Sequence, residues 1–141
     1  MRPIETVVVG FDGSTDAEVA VRWALSLARQ VDIDVILVHA VGLLEPTRHP
    51  EVAVELESAM QRLILECDVA PSRVRLDIVD GDACSVLLRC AEEPLRANLL
   101  VVGSRGIGAH AGLLLGSTSL ELAEHSTIPV VVVPTLNAAI S

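Results

Sequence analysis

Lysine is absent from the 141-residue sequence, and all ten of its cations are arginine. A Walker-type phosphate loop needs GK[ST], so none can be present, and lysine Schiff-base chemistry is excluded with it. Aromatics are nearly missing too, with Phe11 and Trp23 the sole examples. The core must then be built from Val, Leu, Ile and Ala, which suits a parallel sheet wrapped by helices. Positive charge nowhere clusters, and the net charge is -9. Nucleic acid is therefore not an expected partner, since phosphate neutralisation needs a cationic face. No apolar run reaches transmembrane length, so no membrane partner is expected. Cys67, Cys84 and Cys90 form an odd set without CxxC spacing, which predicts reduced thiols and a cytoplasmic location. Met1-Arg2-Pro3-Ile4-Glu5 lacks the apolar region of a signal peptide.

What is present is apolar: hydrophobic residues make up 51% of the chain. Its length fits one domain over residues 1–141, long enough to bury a core. Thr6 to Phe11 is β-branched and continuously apolar, as a central parallel strand should be. Asp12-Gly13-Ser14 signals a turn, and Thr15-x-x-Glu18 reads as a capping box opening a first helix. Ala17, Val21, Ala24, Leu25 and Ala28 then recur at helical spacing. A second strand, Val35 to Ala40, precedes a loop with Gly42, Pro46 and Pro50. The second helix aligns Val52, Leu56, Ala59, Met60, Leu63 and Cys67, and Pro71-Ser72 breaks it. Val74 to Val79 reads as the third strand and Ala83 to Glu93 as the third helix, which Pro94 should end or kink. The remaining elements are a fourth strand Leu99 to Val102, a last helix Thr118 to His125, and a fifth strand Ile128 to Val133. This β-α-β-α-β-α-β-α-β order predicts an open, doubly wound α/β domain with right-handed crossovers.

In such sheets ligands bind beyond the carboxyl ends of the strands, where strand order reverses. The first, second and fourth strands end at Asp12, Val38-His39-Ala40 and Gly103. After the fourth strand comes Gly103-Ser104-Arg105-Gly106, then nine residues, then Gly116-Ser117-Thr118 opening a helix. A helix start of this kind attracts anions, because its first amides lack intrahelical partners and the dipole is positive there. Glycines let those amides approach an anion with no Cβ in the way.

With these motifs the chain resembles a universal stress protein of the ATP-binding branch. The match rests on Val9-Gly10-Phe11-Asp12-Gly13-Ser14, Val38-His39, Gly81-Asp82, and the pattern G-x2-G-x9-G-[ST] spelled by Gly103, Gly106, Gly116 and Ser117. The resemblance implies a five-stranded parallel sheet ordered 3-2-1-4-5, helices on both faces, in the manner of adenine nucleotide alpha-hydrolase-like folds. It implies ATP, with Mg²⁺, across the switch point between the first and fourth strands. Asp12, with Gly13 and Ser14, would lie near the adenosine portion, and Val38 with His39 near the adenine edge. Gly103, Arg105, Gly106, Gly116, Ser117 and Thr118 would cradle ribose and phosphates. It further implies a homodimer through the last strand, Val130, Val131, Val132 and Val133, an uncharged ladder that needs cover. Two departures stand out: Phe11 replaces a smaller aliphatic residue beside the adenine pocket, and Asn98 replaces an Asp read as structural.

Each residue also has a plainer reading. Asp12 serves as a turn former, His39 as a satisfied strand-end residue, and Gly116-Ser117-Thr118 as an ordinary helix start. Cys84 falls in the first turn of the third helix, a setting that lowers a thiol pKa, or is simply a small packed residue. His110 reads as a loop residue, and His49 and His125 have no partners at metal-ligand spacing, so no zinc site is expected. Gly106-Ile107-Gly108-Ala109-His110-Ala111 satisfies G-x-G-x-x-A, but it follows the fourth strand instead of the first, and is accidental. No G-x-S-x-G elbow supports a hydrolase, and no catalytic residue is assigned. Fast phosphoryl transfer wants a water base, a metal clamp and a cationic finger, and only Arg105 and Asp12 are on offer. The expectation is a nucleotide-dependent stress regulator that hydrolyses ATP slowly or not at all. The alternative is an interaction module whose site is vestigial or prefers AMP or cyclic AMP.

Overall fold

The structure is a computed structural model that describes residues 3–42, 50–105 and 116–135. Gly106, His49, His110 and the G-x-G-x-x-A stretch lie outside the described residues. The elements run β1 (Thr6–Gly10), α1 (Thr15–Gln30), β2 (Asp34–Val41), α2 (Pro50–Cys67), β3 (Val74–Asp80), α3 (Ala83–Arg89), β4 (Leu99–Gly103), α4 (Ser117–His125) and β5 (Val130–Val133). A 3-10 turn, Pro71–Arg73, joins α2 to β3 at Pro71-Ser72, the break expected after the second helix. All strand pairs are parallel and the order is β3-β2-β1-β4-β5, as the resemblance implied.

Side chains alternate across this sheet, and both of its faces are covered. Val7, Val9, Val35, Leu37, Leu99, Val101 and Val133 meet α1 and α2 in one core layer. Val8, Ile36, Val38, Leu100 and Val102 meet α3 and α4 in the other. Each fully buried aliphatic side chain contributes roughly 1.5–3 kcal/mol, which is why continuous apolar runs, unbroken by polar residues, mark these strands. Phe11, 2% exposed, fills the α1–α2 layer in contact with the core. Across the outside of that layer Arg22 Nε sits 2.6 Å from Glu66 Oε2, and Arg62 Nη2 donates to Glu18 Oε2 at 2.8 Å. Such exposed pairs add little stability, but they fix which flank of α1 faces α2.

Strand ends shift by a residue or two from the sequence reading, and four boundaries differ for a clear local reason. The cap of α1 is Ser14, not Thr15: Ser14 keeps an extended backbone and its hydroxyl accepts the Ala17 N–H at 3.1 Å. Helix α3 stops at Arg89, short of Glu93, because the residue before Pro94 is pushed out of the helical region and the ring crowds the preceding turn. Helix α4 begins at Ser117, since Gly116 occupies its cap position. Strand β5 starts at Val130, because Ser126 ties its hydroxyl to both the N–H and the carbonyl of Ile128 in a tight turn. Asn98 is structural, as expected: its Oδ1 accepts the Glu5 and Thr6 amides, both at 2.9 Å, and so fixes the start of β1 beside β4.

Candidate functional site

The carboxyl ends of β1 and β4 lie side by side, Val9 opposite Val101, at the point where strand order reverses. The turn leaving β1 is tight. Asp12 Oδ1 accepts the Ser14 N–H at 2.9 Å, and Gly13 has φ +83, a conformation that favours glycine. Asp12 therefore does form the turn, and Ser14 caps α1, while both remain at the mouth of the switch point.

Gly103 ends β4 against the first turn of α1. A Cβ there would lie 2.6 Å from the Asp16 carbonyl oxygen, so only glycine lets strand and helix approach this closely. Asp16 is in turn hydrogen-bonded by the Thr135 hydroxyl, just beyond β5. Past Gly103, Ser104 is buried and Arg105 half-buried.

Helix α4 returns to this same turn and is tied to it twice. The Gly116 N–H donates to the Ser104 carbonyl at 2.6 Å, and the buried Ser119 hydroxyl donates to the Gly103 carbonyl at 2.7 Å. Ser104 itself donates its N–H to the Val133 carbonyl at 3.0 Å. The two backbone segments flanking residues 105–115 are thus held together by the fold alone. Ser119 escaped the sequence reading, although its place three residues after the cap, on the sheet-facing side of the helix, was the available signal.

Helix starts differ in how they are finished. Ser14 caps α1 through its hydroxyl, and Asp82 caps α3 by accepting the Ser85 N–H at 3.0 Å. The Ser85 hydroxyl and amide hold the Asp82 carboxyl below its usual range. At α4 the cap is Gly116, which has no side chain, and the helix has no side-chain cap bond. The first intrahelical bond there is Leu120 N–H to the Gly116 carbonyl, so the amides of Ser117 and Thr118 precede the helical ladder. Ser117 is exposed and Thr118 partly so.

Val38 is engaged within the sheet. Its carbonyl accepts the Phe11 N–H at 2.8 Å, inside the β1–β2 ladder, and its side chain is buried. Backbone direction alternates along β2: Val38 faces β1, and the Val41 carbonyl faces β3, where it accepts the Gly81 N–H at 2.9 Å. Ala40 therefore turns its N–H and C=O to the same side as Val38, past Gly10, the last residue of β1 in register. His39 places Nδ1 3.1 Å from the Phe11 carbonyl oxygen. A carbonyl only accepts, so Nδ1 carries the proton and the ring acts as a satisfied strand-end residue.

Cys84 also turns out otherwise than a helix start suggests. Burial, then the neighbouring Glu121 carboxylate, push its thiol up to about 11. Desolvation outweighs the dipole of a seven-residue helix. Burial is likewise the first cause of the raised values at Cys67 and Cys90. Alkylation of the folded protein near neutral pH is expected to be roughly a hundredfold slower at Cys84 than at an ordinary thiol. Rapid labelling of Cys84, read by mass spectrometry, would contradict this.

Among the described residues no group of three or more His, Cys, Asp or Glu side chains is placed to hold a metal ion. None of the described helices is long and apolar enough to cross a membrane.

With this geometry in view, comparison with known proteins is informative. The model of the universal stress protein family matches residues 3–134. Universal stress protein Rv2623 of Mycobacterium tuberculosis is 33% identical over 148 residues, covering 90% of this chain and 46% of that protein. The chain thus spans about half the length of the curated relatives it matches. A universal stress protein solved in complex with cAMP is 30% identical with a TM-score of 0.72, over 92% of this chain and 95% of that one. A family protein from Arabidopsis thaliana with AMP bound shares the fold at a TM-score of 0.65 and 22% identity, over 96% and 94% of the two chains. Family model, curated relatives and fold agree, and the chain belongs to the universal stress protein family.

Proposed function

We propose that this chain binds an adenine nucleotide at the carboxyl ends of β1 and β4, takes ATP there, and serves as a nucleotide-dependent regulator in a stress response. The observation that carries this reading is the start of α4. It is fastened beside Gly103–Arg105 yet left without a side-chain cap, whereas α1 and α3 are capped by their own side chains. In the proposal the phosphates take the Ser117 and Thr118 amides and hydroxyls, with Arg105 as the nearby cation and Gly106 the further glycine of the sequence motif. Asp12 and Gly13 line the ribose side, and Ala40, in place of Val38, offers its backbone to the adenine edge. Mg²⁺ would arrive with the triphosphate, keeping most of its waters, as this hard cation prefers. Hydrolysis is slow or absent in this reading, since fast phosphoryl transfer asks for a positioned water base, a metal clamp and a cationic finger together.

A second reading has a specific observation behind it: the 30% identical family member was solved with cAMP. In that version the same site prefers a single phosphate, or is vestigial in a domain that acts by protein contact. Two measurements separate these readings. Nucleotide extracted from freshly purified protein should be ATP at near stoichiometry, and calorimetric titration should rank ATP above ADP, AMP and cyclic AMP. Preference for cyclic AMP, or no binding of any of the four, supports the second reading and overturns the first.

The proposal extends to a homodimer through β5. The Pro129 and Val133 carbonyls bond to β4, so Val130 and Val132 turn their N–H and C=O outward along the sheet edge. Replacing Val132 by Pro removes an outward donor and leaves the β4 pairing alone. Val132→Pro is expected to sediment as a folded monomer; a variant that stays dimeric would place the interface elsewhere.

A further inference from the structure

β2 outlasts β1. Gly10 and Val38 are the last residues of the two strands in register, yet β2 continues through His39, Ala40 and Val41, paired with Ile78, Val79 and Asp80 of β3. Val38 turns its backbone groups to β1, where its carbonyl takes the Phe11 N–H at 2.8 Å. In a parallel ladder the next rung would run from the Ala40 N–H to the Phe11 carbonyl. A side chain replaces that rung. The Phe11 carbonyl accepts from His39 Nδ1 at 3.1 Å, and no backbone donor among the described residues is bonded to it.

The exchange of donors has a physical consequence. A backbone carbonyl needs a partner, and an unpaired one would draw the Ala40 amide back into the sheet. With the imidazole in that place, the Phe11 carbonyl is satisfied and the Ala40 N–H and C=O face the space past the end of β1. The Phe11 peptide cannot drift to follow them. Its ring is buried in the α1–α2 layer, and the chain turns away at once where Asp12 Oδ1 accepts the Ser14 N–H. One residue thus presents a donor and an acceptor side by side. An adenine edge offers the matching pair, the ring N1 as acceptor and the 6-amino group as donor.

We infer that His39 is a positioning residue for the base: by holding the Phe11 carbonyl it keeps the Ala40 backbone open to an adenine edge. The inference rests on the nucleotide site proposed above and concerns how that site reads the base. Amide hydrogen exchange followed by NMR tests it with no nucleotide present. In the free protein the Ala40 amide is expected to exchange much faster than the Val38 amide. In His39→Leu the Ala40 amide is expected to close onto the Phe11 carbonyl and to slow by roughly tenfold or more. His39→Asn, whose side-chain nitrogen can stand where Nδ1 stands, is expected to restore the fast exchange. Calorimetry with ATP and with inorganic tripolyphosphate then reads the effect on binding. His39→Leu is expected to lose roughly tenfold in ATP affinity, with tripolyphosphate affinity unchanged and His39→Asn restoring ATP. A merely structural role would lower both affinities together. That joint fall, or a wild-type Ala40 amide as protected as that of Val38, overturns the role of His39 and leaves the nucleotide site standing. Failure of ATP to bind the wild-type protein while Ala40 exchanges freely overturns the site, and with it the purpose of the opening.

Discussion

A Gly116→Val variant is expected to remain folded and to lose ATP affinity by roughly a hundredfold or more. Two charge-assisted hydrogen bonds, each worth about 1.5–3 kcal/mol, are at stake where the phosphates meet the Ser117 and Thr118 amides. Valine would place a branched side chain beside those amides, while a poor cap costs the helix only about 1 kcal/mol. Gly116→Asp makes the sharper test. Its carboxylate would cap α4 in the way that Asp82 caps α3, and would complement the helix dipole. It would also occupy and repel the phosphate position. Stability is therefore expected to hold or rise while binding disappears, a split that calorimetry and thermal melting read together. Unchanged ATP affinity in both variants would remove α4 from the site.

Gly103→Ala is the change expected to cost most stability. The new Cβ would meet backbone, the Asp16 carbonyl at 2.6 Å, and backbone cannot swing aside as a flexible side chain can. β4 and α1 must separate, at a cost of about 1–3 kcal/mol or more. For a chain of this size that lowers the melting temperature by roughly 3–10 °C. Gly42→Ala is the control, since among the described residues nothing lies within 4 Å of its added Cβ, and a change within about 0.5 kcal/mol is expected there. Equal melting temperatures for the two variants would mean that the close approach at Gly103 is not a constraint.

The strands were legible because both faces of the sheet are buried. Thr6 to Phe11 and Leu99 to Val102 read as unbroken apolar runs, and the structure places them centrally. Strand order was not written in any run of residues; it entered with the family resemblance, and pairing bears it out. What stayed hidden depends on backbone direction or on distant contacts. Whether Ser14 or Thr15 caps α1 is decided by which residue keeps extended angles. Whether Val38 or Ala40 can face a ligand depends on strand parity and on where β1 stops. The Cys84 thiol is governed by burial and by Glu121, a neighbour 37 positions along the chain. The glycine pattern draws attention to the carboxyl end of β4, but why Gly103 must be glycine lies in Asp16, which no motif contains.

The central claim concerns the main-chain donors that open α4. A crystal grown with ATP tests it most directly: phosphate oxygens are expected at about 2.7–3.1 Å from the Ser117 and Thr118 nitrogens. A nucleotide bound elsewhere, or those two nitrogens bonded to the protein itself with ATP present, would contradict the account.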